Sequence, residues 1–291
     1  MRNKRLIVLL SVIVVLVVAV VACGATFLVR KVEAYSYYGN GVNGTVDYDE
    51  KVIAASGIKK NSSIFFLDES AVKKRVESAF NNIGVVNVER KFPDRVSINY
   101  VVYENSFQYK SGDAYYQCYS SGRIGSTSAG AVNGYFTVKP KFETATTVGA
   151  YFQSASGQDR KIIDAFIKFM YDKGLGDRQI NERIDFVDLT RDGYVYIRTN
   201  AGCSIELRGG MNDFVKLMER GWAIFADPNP DSPAVSRVSG LISVWMYRGG
   251  NTSVVKSSYT AVGAEIGVNG QGKPIIYTDD SYYAERYLHL T

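Results

Sequence analysis

Two hydrophobic patterns follow one another along this chain. Leu6 to Val29 is an uncharged run of 24 residues, bracketed by Arg2, Lys4 and Arg5 before it and by Arg30 and Lys31 after it. A helix rising about 1.5 Å per residue over that length covers the roughly 30 Å hydrocarbon core of a bilayer. The pattern therefore predicts one transmembrane helix over 6–29, with residues 1–5 as a short tail. Three bases in that tail orient it to the cytoplasmic side, which puts the bulk of the chain outside. A lipoprotein signal is the competing reading, because Val20-Val21-Ala22-Cys23-Gly24 places small residues around a cysteine. Three apolar residues, Phe27, Leu28 and Val29, continue past that point and favour the span.

Beyond Lys31 the apolar positions become periodic. Val32 to Tyr38 predicts a short strand ended by Gly39-Asn40-Gly41. Thr45 or Asp47 can cap a helix bearing Tyr48, Val52 and Ala55 on one side, and Gly57 stops it. Asp68 or Ser70 can cap a second helix, with Val72, Val76 and Phe80 four apart. Val85 to Glu89 predicts a strand and Phe92-Pro93-Asp94 a turn. Val96, Ile98, Tyr100 and Val102 then alternate as a long strand. Residues 32–104 thus read as a β-α-α-β-β module with both helices on one sheet face.

From 105 to 247 the strand signal dominates. A hairpin is expected from Phe107 to Tyr119 across Ser111-Gly112-Asp113, with a further turn at Ser121-Gly122-Arg123. The Gly, Ser, Thr and Ala content of 125–134 predicts a loop. Ser156 with Asp159 resembles a capping box ahead of a helix carrying Ile163, Phe166, Ile167 and Met170. Ile184 to Leu189, Val195 to Thr199 and Cys203 to Leu207 predict three strands. Asn212 or Asp213 starts a helix with Phe214, Leu217, Met218 and Trp222, and Leu241 to Tyr247 predicts a final strand. Residues 248–291, polar with scattered aromatics, are expected to form a partly ordered tail. The fold class expected is α+β: an N-terminal transmembrane helix, the small module, then a mixed β-rich domain with two packed helices.

Charge alters the functional picture. The chain has 34 Lys and Arg against 29 Asp and Glu, and five of those bases flank the uncharged run. The region from Val32 onward therefore carries as many acids as bases. A nucleic-acid binder needs a basic footprint, and this balance argues against that role. Cys118 and Cys203 are its two cysteines, too few for a disulfide scaffold.

Catalytic chemistry is thinly represented. The single histidine, His289, stands third from the end, which excludes most histidine-based metal sites and triads. A sortase-like cysteine transpeptidase remains a rival reading through Thr199, Cys203 and Arg208, although a nucleophilic thiol needs a positioned base and His289 follows Cys203 by 86 positions. Asp185, Asp188 and Asp192 form an acid–base pair only if the fold aligns them. No cofactor, metal site or catalytic residue is expected, and the chain reads as a non-enzyme.

The order of parts resembles the FtsQ/DivIB family of bacterial cell-division proteins, with the small module similar to a POTRA domain. The likeness is carried by Val32 to Asn40, by Gly57-Ile58 followed by Ile64 to Asp68, and by Val85, Val88, Arg90 and Pro93. Phe214 to Phe225 and Leu241 to Tyr247 extend it. Asn105 stands where the family usually has arginine, and Tyr119 where it has aspartate. The resemblance implies a non-enzymatic, membrane-anchored scaffold at the division septum that regulates septal peptidoglycan synthesis. Its implied partners are small coiled-coil membrane proteins of the FtsB/DivIC and FtsL type, with the septal synthase a further one. An anchored extracytoplasmic binding module is the alternative. A last strand with a free edge can accept a partner strand, so Leu241, Ser243, Val244, Trp245 and Tyr247 are the candidate partner-binding residues.

Overall fold

The computed structural model describes residues 11–15, 18, 27–36, 48–209, 213–226, 240–249, 252–268, 271 and 273–286. The chain divides into two compact units, Met1–Tyr103 and Glu104–Thr291.

The expected transmembrane helix requires correction. Among the described residues no helix is long and apolar enough to cross a membrane. Most of 6–26, the tail 1–5 and Cys23 lie outside the described residues. The last part of the run has a different role altogether. Val29 is fully buried in the core of the first unit, and Phe27 packs against that core. The Val29 N–H donates to the Ser62 carbonyl (2.9 Å), Asn61 N–H donates to the Val29 carbonyl (2.8 Å), and Ile64 N–H donates to the Phe27 carbonyl (3.0 Å). An uncharged run suits a protein interior as well as lipid, and periodicity does not distinguish the two.

The first unit is a three-stranded sheet ordered β1-β3-β2, made by β1 (Lys31–Ser36), β2 (Ile83–Lys91) and β3 (Arg95–Val102). β1 runs parallel to β3, and β2 antiparallel. Helix α1 (Asp49–Ser56) and helix α2 (Glu69–Ala79) supply Val52, Val72 and Val76 to the core, where they meet Ala34, Val85, Val96 and Ile98. The Asp68 carboxylate caps α2 by accepting from Ala71 N–H at 2.9 Å. Gly57 ends α1 at φ +65°, and a Cβ there would stand 3.0 Å from the Arg75 Nε, the reason glycine suits this stop. A 3-10 turn, Ile64–Phe66, joins the helices.

The second unit is built on a nine-stranded mixed sheet. Its strands are β4 (Asn105–Ser111), β5 (Ala114–Tyr119), β6 (Ile124–Ser128), β7 (Phe136–Lys139), β8 (Ile184–Asp188), β9 (Tyr194–Thr199), β10 (Cys203–Arg208), β11 (Gly240–Gly249) and β12 (Thr252–Thr260). Their order is β12-β11-β10-β9-β8-β7-β4-β5-β6. Helix α3 (Gln158–Asp172) and helix α5 (Phe214–Phe225) pack on one face through Ile163, Phe166, Met170, Leu217, Met218 and Trp222. The short helix α4 (Asp177–Arg183) lies between them in sequence.

Local differences from the expectation have local causes. Ser156 forms no capping box. Gly157 is the N-cap, and Asp159 turns inward to accept from Lys141 N–H (3.1 Å) and Phe142 N–H (2.8 Å). The expected loop at 125–134 begins as edge strand β6, whose small residues pair with β5. The expected tail contains β12, a small hairpin of β13 (Glu265–Val268) and β14 (Pro274–Ile276), and helix α6 (Asp279–Arg286).

Candidate partner-binding site

Strand alternation assigns every side chain of β10 and β11 to one of two faces. Cys203, Ile205, Leu207, Ile242 and Val244 enter the helix-side core. Parallel register pairs Ser204 with Leu241, Glu206 with Ser243 and Arg208 with Trp245, all on the opposite, outer face. Cys203 and Arg208 therefore point away from each other, and the Cys203 thiol is buried in apolar packing. Burial pushes the other buried thiol, Cys118, well above its usual range, and thiolate chemistry needs the reverse. Asp188 and Asp192 are not brought together either. Asp188 is buried beneath a tyrosine, whereas Asp192 is an exposed partner of Lys141.

The outer face of the sheet centre carries a buried polar layer. Lys139 from β7, Asp188 from β8, and Glu206 and Arg208 from β10 lie in it, and the C-terminal segment folds over them. Tyr283 Oη donates to Asp188 Oδ2, and Lys139 Nζ donates to Tyr283 Oη at 2.7 Å. Tyr282 Oη donates to Glu206 Oε2 at 2.9 Å, while Arg208 pairs with Glu206 Oε1. Asp280 meets Arg198 at 2.8 Å. Tyr277, Tyr282 and Tyr283 form a satellite core with Phe186, Tyr196 and Leu241. Burial, then Glu206, pushes the Tyr282 phenol up to about 12. Burial draws the Lys139 ammonium below its usual value, partly offset by Asp188. A cleft of about 450 Å³ opens beside this layer, lined by Arg208, Leu241, Ser243, Thr260, Tyr277 and Tyr282.

The five sequence-predicted residues separate accordingly. The edge of β11 expected to be free is occupied by β12, which pairs with it from Leu241↔Thr260 to Gly249↔Thr252. Val244 is fully buried under α5, Leu241 is buried beneath the C-terminal tyrosines, and Ser243 is buried beside Arg208. Trp245 is half-buried and Tyr247 is 48 % exposed. Tyr247 pairs across to Val254, itself 52 % exposed, and Lys256 Nζ lies 4.2 Å from the Tyr247 ring centroid. Among the described residues no strand pairs with the far edge of β12, and none of its described side chains is buried. An edge strand of this kind presents backbone N–H and C=O groups to a further strand. Trp245, Tyr247 and Val254 provide an apolar shoulder beside it.

Sequence reasoning missed β12 and the covering tyrosines. Gly249-Gly250-Asn251, followed by the β-branched and aromatic run Thr252 to Thr260, was a hairpin signal. No periodic signal marks Tyr277, Tyr282 and Tyr283, because they pack singly onto a distant sheet.

Residues 41–100 match the family model for the POTRA domain, FtsQ-type. No curated protein matches the chain. The matched segment of the first unit, which takes in α1, α2, β2 and most of β3, is thus an FtsQ-type POTRA domain, a non-enzymatic, protein-interacting type of module associated with cell division.

Proposed function

We infer that this POTRA-bearing chain is a non-enzymatic scaffold of the bacterial division septum, which recruits partner division proteins and thereby regulates septal peptidoglycan synthesis. The FtsQ-type match over 41–100 carries this reading. Its partners are small coiled-coil membrane proteins of the FtsB/DivIC and FtsL type. They dock by adding a strand at the open edge of β12, with Trp245 and Tyr247 anchoring the contact. Backbone pairing supplies the affinity of such an addition, and the flanking aromatics supply its specificity.

Depletion should block septation while growth continues, and a fluorescent fusion should concentrate at midcell. Pull-down of the full chain should recover the small coiled-coil partners. Uniform fluorescence with normal division overturns the reading. Recovery of those partners undiminished by Tyr247→Ala with Val254→Ser overturns the docking surface while leaving the scaffold role intact.

A further inference from the structure

One corner of the POTRA unit exposes aromatic side chains that its core does not use. Phe65 and Phe92 are 51 % and 54 % exposed, and Phe66 is 90 % exposed. Phe27, Phe65 and Phe92 form a triangle with ring centroids 5.0, 5.5 and 5.9 Å apart. Three separate segments build this corner. The strand-like stretch Phe27–Val29 is hydrogen-bonded to Asn61, Ser62 and Ile64, and the Asp94 carbonyl accepts from Arg30 and Lys31 N–H. Contiguous exposed apolar surface of this kind marks an interaction site.

The rim of the corner is basic. Lys31, Arg95 and Lys91 lie level across the three strand ends, since Lys31 pairs with Arg95 in one register and Lys91 with Arg95 in the other. Exposed Arg30, Lys59 and Lys60 lie on the segments that carry Phe27 and Phe65. Acids are fewer here: Glu33 is paired with Lys31, Asp94 lies 3.9 Å from Arg95, and the exposed Asp68 caps α2. Glu69 is held by Arg90.

The geometry points to a lipid surface as the occupant: the Phe27, Phe65, Phe66 and Phe92 corner seats in the headgroup region of an anionic bilayer. Exposed phenyl rings partition into the boundary between headgroups and acyl chains. Long basic side chains around them reach anionic headgroups while their stems stay over apolar surface. The inference stands on the first unit alone and does not depend on the division reading.

The test uses the full chain carrying Phe66→Trp, mixed with vesicles of phosphatidylcholine and phosphatidylglycerol. The added emission is obtained by difference from the unsubstituted chain, which has two tryptophans, Trp222 and Trp245. The new indole should shift to the blue in the vesicles, and brominated lipid should quench most of its emission. Lys59→Gln with Lys60→Gln should lower the ratio of docked to undocked corner about fivefold per charge removed. A water-like emission in chain bound to vesicles overturns the proposal, and so does a chain that fails to associate with them. An indole already shifted and shielded without lipid also overturns it, since a protein segment then covers the corner. Quenching of equal size in phosphatidylcholine alone removes the role of the basic rim and overturns the anionic assignment.

Discussion

Asp177 combines burial with a charge at the start of α4. Tyr171 Oη donates to its Oδ2 at 2.7 Å. Burial raises its carboxyl to about 6, against the lowering effects of Tyr171, Ser106 and Ser120. A raised folded value means that the native state holds the proton more tightly than the unfolded chain. This contribution to stability is complete below the ordinary carboxyl value of 3.8 and is lost as pH rises through about 6. Its size is on the order of 3 kcal/mol. Asp177→Asn keeps an acceptor for Tyr171 and removes the charge. Urea unfolding should show the variant more stable than the parent at pH 8, with a flatter profile between pH 4 and pH 7. Gly221 illustrates the opposite sensitivity. A Cβ there would stand 2.8 Å from Ile205 Cγ2 and 3.4 Å from Val244 Cγ2. Alanine gains about 1 kcal/mol of helix propensity, but overpacking costs about 1–3 kcal/mol. Gly221→Ala should therefore be neutral to destabilising in thermal unfolding, contrary to the usual gain at exposed helical glycines.

At the scale of elements, the open edge of β12 makes a sharp prediction. Successive residues of a strand alternate between pairing with one neighbour and pairing with the other. Of Ser257→Pro and Ser258→Pro, one removes an N–H that faces β11 and the other an N–H that faces outward. One variant should lose stability by circular dichroism, whereas the other should stay folded and fail to bind the partner. Proline at Val244 would not discriminate, because β11 is paired on both sides. This distinction marks where the sequence stops being readable. Alternation identified the strand Leu241 to Tyr247 and separated its two faces. Its neighbours could not be read, because pairing is fixed by contacts between segments that the local pattern does not encode. The same limit explains Val29: an apolar residue after an apolar run carries no mark of whether lipid or a β-sheet receives it. Local chemistry was legible by contrast. Gly57 and Asp68 set helix boundaries through φ and a capping carboxylate, both readable one residue at a time.

Across the second unit, stability depends on the chain's last described helix. A chain ending at Val262 loses Tyr277, Tyr282 and Tyr283 from the outer face, each a buried aromatic. Urea unfolding should register a loss of about 4 kcal/mol or more, from apolar burial alone. Tyr283→Phe is the milder version. It leaves Asp188 Oδ2 and Lys139 Nζ each short of a partner, and should cost about 1–3 kcal/mol. The contacts at stake span great lengths of chain: Tyr283 lies 95 positions from Asp188 and 144 from Lys139. A ribosome adds roughly 5–20 residues per second, so the sheet's acids and bases leave the exit tunnel seconds before the tyrosines that will cover them. The outer face is consequently wet and charged until the segment bearing Tyr277, Tyr282 and Tyr283 has been made and folds over it. A nascent copy that still lacks this segment differs from one that has it in the surface it shows to proteases and chaperones.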